Sequence, residues 1–247
     1  FSHAYAIGAN ANAVGQQVVA IGTNSNARGF STMALGDGAQ TSGFYSSAFG
    51  AAAFALANQS LALGFFSNAS AEGATAIGNR SSASAKDALA IGNMSNVTGD
   101  QSIGIGENNT VAGVNSTVIG RNVKTLNSQT NQIALAHDLN LTCASNSLKS
   151  TYIGHNITGG ANWSFNDSTV IGNNMNFVAN SSSGLVRSSV IGNDINYNSY
   201  AQSCATMMGE NLTFKGWHLR GGNVIGRNVN ISAYSSSASG SSAYGYV

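Results

Sequence analysis

Charged residues are scarce in this chain. Asp, Glu, Lys and Arg make up 8% of its 247 residues, whereas about 25% is usual for a globular protein. The few charges nearly cancel, to a formal net charge of +1, so nothing attracts the chain electrostatically to nucleic acid or to an anionic membrane surface. Because 43% of the residues are hydrophobic, the low charge does not indicate disorder either.

Proline is absent and cysteine nearly so. No apolar run approaches the roughly 18 residues that a membrane-spanning helix needs, so the sequence predicts no membrane span. Cys143 and Cys204 are too few for a disulfide framework; the alternatives are a bridge between them, within one chain or between subunits, and two free thiols. The sequence has no nucleophile elbow, phosphate loop or metalloprotease signature. We therefore predict no catalytic residues, no metal and no cofactor, and do not expect an enzyme.

A tripeptide of a small residue, a large apolar residue and Gly recurs along the chain. Its large residues are spaced 14 apart and then continue at intervals of 16 to 20 residues. Such a period is typical of a solenoid, and a weaker half-repeat seven residues later predicts two short strands in each repeat. The large residues of the regular part are Ile7, Ile21, Leu35, Phe49, Leu63, Ile77, Ile91, Ile105 and Ile119.

Side chains of a strand alternate between its two faces, which separates small from large residues in each repeat. Ala20 and Ala34 belong to a face of small side chains, whereas Ile21 and Leu35 belong to a face of large ones. A lone solenoid needs to bury only its interior. The second apolar face would then be exposed along every coil, which normally marks an interaction surface. We therefore predict self-association through the large residues.

The repeats Gly8–Ile21, Gly22–Leu35 and Gly92–Ile105 resemble the YadA-like head domain of trimeric autotransporter adhesins, whose pattern is A-I-G-x-x-A-x-A-x-G-x-x-S-x. The resemblance covers roughly residues 4–120 closely and reaches about 231 in degraded form. It implies an all-β, left-handed parallel β-roll, with longer coils in the carboxy-terminal half. It also implies a homotrimer in which the nine large residues pack around the threefold axis, and adhesion to host surfaces, matrix proteins or other cells.

Three segments are predicted: a regular roll over 1–120, its continuation with longer coils over 121–231, and a Ser, Ala, Gly and Tyr segment over 232–247. The sequence shows no neck motif, heptad stalk or membrane-anchor strands, so the chain is either an excised head or a free-standing relative. An open first repeat at one end and a β-compatible segment at the other predict head-to-tail stacking of trimers, unless both ends are cut points.

Asn-x-Ser/Thr sequons are more frequent than the composition predicts. Extensive N-glycosylation would place the protein outside a cell or on a virion, whereas a β-roll that favours Asn in its turns is the alternative explanation. The sequons lie at Asn58, Asn68, Asn79, Asn93, Asn96, Asn108, Asn115, Asn140, Asn156, Asn162, Asn166, Asn180, Asn211 and Asn230.

Polar residues also recur in register. His137 and His155 hold the same repeat position and are expected to stack as part of a solvated ladder rather than to bind a metal. Asn and Asp three residues after each large apolar residue, such as Asn122 and Asp138, are expected to exchange side-chain hydrogen bonds. Aromatic residues including Trp163 either contact a glycan or cap the wider coils.

These observations predict a structural subunit of a secreted, N-glycosylated extracellular fibre or filament, trimeric and stacked head to tail, with an adhesive role. Its expected partners are copies of itself and a glycan or another cell-surface ligand, with no nucleic acid. The alternatives are the receptor-binding head of a viral fibre, a trimeric bacterial adhesin and, less favoured, a polysaccharide-active enzyme.

Overall fold

We describe the chain from a computed structural model. The structure describes residues 3–125, 130–138, 150–156, 158, 169–178, 189–199, 206, 208–211, 213–220, 223–228, 230–239 and 242–243. These residues form parallel strands and turns and include no helix. The prediction of an all-β parallel solenoid is confirmed, while the hand of the winding and the trimer stay predictions. The chain divides into two compact units, residues 1–111 and 112–247.

The first unit alternates between two parallel sheets, so each repeat supplies one strand to each sheet. We call them sheet A and sheet B. Sheet A contains β1 (Ala4–Ile7), β3 (Val18–Ile21), β5 (Met33–Leu35), β7 (Ser47–Phe49), β9 (Leu61–Leu63), β11 (Thr75–Ile77), β13 (Leu89–Ile91) and β15 (Ile103–Glu107). Sheet B contains β2 (Asn12–Gln16), β4 (Asn26–Phe30), β6 (Gln40–Thr41), β8 (Phe54–Ala55), β10 (Asn68–Ala69), β12 (Ser82–Ala83), β14 (Asn96–Val97) and β16 (Thr110–Val111).

The interior between sheets A and B holds only small side chains. Ala76 of β11 pairs in register with Ala62 and Ala90, and Ala83 of β12 pairs with Ala69; all of them are fully buried. Where a glycine replaces one of these alanines, larger neighbours keep the interior filled. Gly104 replaces the usual alanine, and a Cβ there would lie 2.7 Å from Val97 Cγ2 and 3.0 Å from Val111 Cγ2. The valines therefore fill the space that the missing methyl group leaves.

The two corners of each coil are left-handed turns. In the first unit the non-glycine corner residues have φ between 51 and 58°, a conformation that costs most residues about 1–2 kcal/mol. None of these residues is β-branched, as expected for a conformation that β-branched side chains tolerate worst. The first corner is formed by Asn10, Asn24, Gly38, Ala52, Phe66, Arg80, Met94 and Asn108, and the second by Gln17, Ser31, Tyr45, Gln59, Gly73, Asp87 and Gln101.

A column of glycines lets successive coils approach closely at the first corner. Gly92 has φ of +123°, and a Cβ there would lie 2.0 Å from the carbonyl oxygen of Gly106 in the next coil. The other glycines from Gly8 to Gly78 in this column meet the following one in the same way, at 2.3 to 2.6 Å. No side chain fits there, so the small-large-Gly motif reflects a contact between backbones.

Buried serines complete the corners. Ser67 and Ser81 follow the large apolar residues by four positions, and their hydroxyls donate to the carbonyl oxygens of Gly64 and Gly78 at 3.0 and 3.1 Å. Both serines are fully buried. A hydroxyl that bonds a turn carbonyl satisfies a polar group that would otherwise be buried without a partner.

The second unit has strands of the same kind and larger interior side chains. Tyr152, Met175 and Ile195 are almost fully buried in it. Tyr152 pairs with Ala134 at the alanine position, and Met175 and Ile195 hold the position of the buried corner serines such as Ser81. One set pairs in the order β17 (Thr117–Arg121), β18 (Ile133–His137), β19 (Thr151–Gly154), β20 (Thr169–Gly172) and β22 (Ser189–Gly192). A second sheet contains β21 (Asn176–Val178), β23 (Asn196–Ser199), β24 (Thr213–Arg220) and β26 (Asn230–Ser239), and β25 (Asn223–Val224) pairs with β27 (Ser242–Ala243).

The glycine column leads to a stability prediction. Gly92→Ala is expected to lower the free energy of unfolding by about 2–4 kcal/mol, because it adds a backbone clash to a strained φ. Gly38→Ala is the matched control: a Cβ there meets nothing within 4 Å, and Ala52 has the same corner conformation, so a loss of only about 1 kcal/mol is expected. Urea unfolding followed by circular dichroism measures both, and equal losses would contradict the proposed contact.

Candidate functional site

The outer side of sheet A is a continuous apolar surface, which we call the apolar face. Along β11 the buried Ala76 lies between the outward Thr75 and Ile77, and the other strands of sheet A repeat this alternation. The face contains Tyr5, Ile7, Val19, Ile21, Met33, Leu35, Ser47, Phe49, Leu61, Leu63, Thr75, Ile77, Leu89, Ile91, Ile103 and Ile105.

The apolar face is substantially open to solvent in the single chain. Ile7 is 61% exposed, Ile21 40% and Leu63 45%, and their neighbours in the same column are half-buried by the residues one coil above and below. Monomeric proteins rarely expose contiguous apolar surface of this kind, and where it occurs it usually serves association. The first unit therefore presents a surface that is suited to contact with an equally apolar face on another molecule.

Sheet B provides the contrast that identifies the apolar face as special. Most outward residues of sheet B carry amide or hydroxyl side chains, and so do most of the residues that directly follow its strands. The outward positions of sheet A include one charged residue, Glu107 at the end of β15, and three hydroxyls, those of Tyr5, Ser47 and Thr75. Because both sheets wind from the same chain with the same period, the difference arises from residue choice and not from the fold.

The second unit has an apolar column of the same type. Ile119 is 42% exposed, Leu135 41%, Ile153 40% and Ile191 36%, and they occupy corresponding positions of paired strands. The nine residues predicted from the sequence to form a trimer interface thus all lie at outward strand positions, eight in the first unit and Ile119 in the second. Their contact with another subunit stays a prediction.

A polar cluster lies at the end of β18. The rings of His137 and His155 are stacked, with centroids 5.8 Å apart and planes 11° from parallel, which confirms the predicted stack. Nε2 of His137 contacts the guanidinium of Arg121, and its Nδ1 lies 2.9 Å from a carboxylate oxygen of Asp138. The side-chain amide of Asn122 donates to the other oxygen of Asp138 at 2.7 Å.

Other side-chain ladders also bond from coil to coil, and two of these bonds, Asn10 to Asn24 and Asn211 to Asp194, belong to the ladder predicted three residues after the large apolar residues. Each donor and acceptor pair joins equivalent positions of neighbouring coils, which adds polar contacts along the stacking direction. The bonds run from Asn10 to Asn24 at 3.2 Å, from Asn12 to Asn26 at 3.3 Å, from Asn173 to Asn193 at 3.2 Å and from Asn211 to Asp194 at 2.7 Å. Among the described residues no three of His, Cys, Asp and Glu are grouped so that they would hold a metal ion.

Several sequons coincide with the corner chemistry. Asn79 and Asn93 are exposed, but the serines that complete their sequons, Ser81 and Ser95, are fully buried. The hydroxyl of Ser95 donates to the carbonyl oxygen of Gly104 at 3.1 Å. The fold therefore favours the Ser of these sequons for its place in the corner, a cause that sequence reasoning missed although the recurrence of Ser four residues after the large apolar residue signals it.

Several predicted features lie outside the described residues, among them Cys143, Cys204, Asn140, Asn162, Asn166, Asn180 and Trp163. Asn211 and Asn230 are exposed. No helix of the described residues is long and apolar enough to cross a bilayer.

The comparison with protein families matches repeats in the amino-terminal half of the chain to one family. The family model described as YadA head domain repeat (2 copies) matches residues 2–25, 27–53, 42–67, 55–81, 69–95, 83–103 and 98–122. A search of curated protein sequences finds no match. The matched repeats contain the whole apolar face, from Tyr5 to Ile105, and also Ile119 of the second unit.

The polar cluster leads to a prediction about metal ions. Both ring nitrogens of His137 already face another side chain, Arg121 on one side and Asp138 on the other, which leaves His155 as a single imidazole ligand, whereas zinc sites use three or four. Excess zinc chloride is therefore expected to leave the thermal midpoint unchanged. The double variant Arg121→Ala, Asp138→Ala frees His137 and serves as the comparison. A rise of several degrees in the unmodified protein, reversed by a chelator, would contradict this interpretation.

Proposed function

Residues 2–122 belong to the YadA head domain family, and from this premise we propose that the chain is the head of a homotrimeric surface adhesin. The family indicates an adhesin-like role at the cell surface. In this proposal the apolar faces of three copies meet around a threefold axis, and the remaining outer surface contacts the ligand. No residue is assigned a catalytic role.

The observation that carries the proposal is the uncharged apolar face. A solenoid with an interior of alanine and serine buries little apolar surface for each residue, and each alanine contributes only a small hydrophobic free energy. The large side chains of sheet A are the main reserve of apolar surface, and they point outward. Burying what remains exposed of each isoleucine contributes on the order of 1 kcal/mol, which adds up over the successive coils.

The polar outer positions of sheet B support the same arrangement. An association through sheet B would bury amide and hydroxyl groups, each of which needs a new hydrogen-bond partner. Association through the apolar face buries few polar groups in the first unit, namely the hydroxyls of Tyr5, Ser47 and Thr75. The free energy balance therefore favours sheet A as the side that faces the partner subunits.

N-linked glycans at exposed sequons are a further part of the proposal. Asn211 is exposed and Asn156 is half-buried, both in the second unit. Head-to-tail stacking into a secreted filament and the division at 120 and 231 stay predictions from the sequence.

The association test places two charges on the apolar face. Ile77 and Ile91 pair in register on β11 and β13, so Ile77→Asp with Ile91→Asp puts two carboxylates into the buried interface at a cost on the order of several kcal/mol. Sedimentation equilibrium is expected to show trimers for the unmodified protein and monomers for the variant.

The matched control uses the same two repeats on the opposite sheet. Ser82 and Asn96 pair in register on β12 and β14 and lie at outward positions, so Ser82→Asp with Asn96→Asp adds the same charges at the same spacing. The control is expected to remain trimeric. A trimeric Ile77→Asp, Ile91→Asp variant, or a control that dissociates to the same extent, would show that the apolar face is not the interface.

The glycan test is peptide mass spectrometry of protein from its native source. Occupied sites are expected at Asn140, Asn156, Asn162, Asn166, Asn180 and Asn211, because the longer repeats place them outside the regular 14-residue pattern. Enzymatic release in heavy-oxygen water marks each occupied Asn and separates it from spontaneous deamidation. Unmodified peptides at most of these sites would count against the glycoprotein proposal.

A further inference from the structure

An aromatic stripe crosses the outer side of sheet B, away from the apolar face. Five of the ten phenylalanines of the chain and one tyrosine lie in it, within residues 30–66. We propose that this stripe binds a neutral glycan chain, which names the ligand class for the proposed adhesive role and rests on that role. The stripe consists of Phe30, Phe44, Tyr45, Phe54, Phe65 and Phe66.

The register of sheet B places these residues on an oblique line. Phe30 ends β4, and Phe44 and Tyr45 follow β6 at the second corner. Phe54 lies on β8 and points outward, because the next residue, Ala55, is fully buried. Phe65 and Phe66 precede β10 at the first corner, so the line moves from one corner to the other over four neighbouring strands, about 14 Å along the stacking direction at about 4.8 Å per strand.

The aromatic rings are both exposed and held in place. Phe44 is 55% exposed, Tyr45 56% and Phe66 48%. Tyr45 packs edge-on against Phe30 with ring centroids 5.5 Å apart, and Phe66 packs edge-on against Phe65 at 4.5 Å. Their backbone amides donate to neighbouring coils, Tyr45 to the carbonyl of Phe30 at 2.9 Å. Because folding already fixes these rings, binding a ligand costs little further side-chain entropy.

Two of these rings occupy positions that the fold itself gives no reason to make aromatic. Tyr45 and Phe66 are left-handed corner residues, with φ of 58° and 54°. Equivalent corners of other coils have Asn, Gln, Ser, Asp, Arg, Gly, Ala or Met, none of which is aromatic. A bulky exposed residue in a strained conformation indicates a binding role.

The surroundings of the stripe favour an uncharged, hydroxyl-rich ligand. No residue from Gly38 to Ala71 is charged. Gln40, Asn58 and Gln59 are exposed beside the rings and offer amide donors and acceptors. Aromatic faces pack against the apolar C–H faces of pyranose rings while amides bond their hydroxyls. Two cationic side chains lie at the ends of the stripe, Arg28 on β4 two residues before Phe30 and Arg80 one coil beyond Phe66, so its middle part favours an uncharged ligand.

The test is isothermal titration calorimetry with a panel of uncharged hexasaccharides: cellohexaose, chitohexaose, mannohexaose and xylohexaose. Hexagalacturonate is the charged comparison. At least one uncharged member is expected to bind, and Phe44→Ala and Phe66→Ala are each expected to weaken it at least about tenfold. Met94→Ala is the matched control, because Met94 has the same corner conformation as Phe66 and is 49% exposed outside the stripe, and it is expected to bind normally.

Phe44→Leu separates ring stacking from simple apolar contact. Leucine keeps apolar surface but lacks a flat ring, so a loss similar to that of Phe44→Ala supports the glycan. Retained binding by Phe44→Leu, equal binding by the alanine variants, equally tight binding of hexagalacturonate, or no binding by any member of the panel would each overturn the proposal. Self-association that the stripe variants abolish would overturn it too, in favour of a second copy as the occupant.

Sedimentation of the same variants keeps this proposal apart from the proposed function. Phe44→Ala is expected to remain trimeric while it loses the hexasaccharide. If the unmodified protein is monomeric and still binds the hexasaccharide with the predicted dependence on Phe44 and Phe66, the glycan site stands and the trimer is wrong. If the unmodified protein is a trimer and binds no member of the panel, the trimer stands and the glycan site is wrong.

Discussion

The backbone contact along the glycine column is the constraint on which the first unit depends. It brings each coil so close to the next that a Cβ at Gly92 would lie 2.0 Å from a carbonyl oxygen. The side chains buried inside the first unit are alanine, serine, threonine and valine, together with Asn109. The large apolar side chains of each repeat therefore lie outside, and the choice of residues places most of them on sheet A rather than on sheet B.

That consequence connects the fold to association. A solenoid with an alanine interior gains little hydrophobic free energy from its own folding, so burial between copies in the proposed trimer would add to that free energy. Interiors with larger side chains, such as that around Tyr152 in the second unit, bury more within one chain. The outward column of isoleucines nevertheless continues there, from Ile119 to Ile191, which is consistent with one mode of association for both units.

The corners show how one structural need produces two sequence signals. A left-handed residue followed by a buried serine satisfies the turn and its carbonyl, as at Arg80 and Ser81. When Asn precedes that pair, the result is also a sequon, as at Asn79. Part of the excess of sequons in the first unit therefore has a structural origin, whereas the exposed Asn211 in the second unit follows a longer and less regular repeat.

The periodic features of this protein were readable from sequence, because a residue and its equivalent in the next repeat, 14 positions later in the regular part and 16 to 20 later beyond it, lie one above the other in a parallel coil. The two faces of sheet A, the stack of His137 on His155 and the Asn ladders follow from that single rule. The aromatic stripe does not, because Phe44, Phe54 and Phe66 hold different repeat positions and only the register of neighbouring strands aligns them. The buried serine hydroxyls and the contact of Arg121 with His137 also needed the structure, since they depend on the direction of individual side chains within the coil.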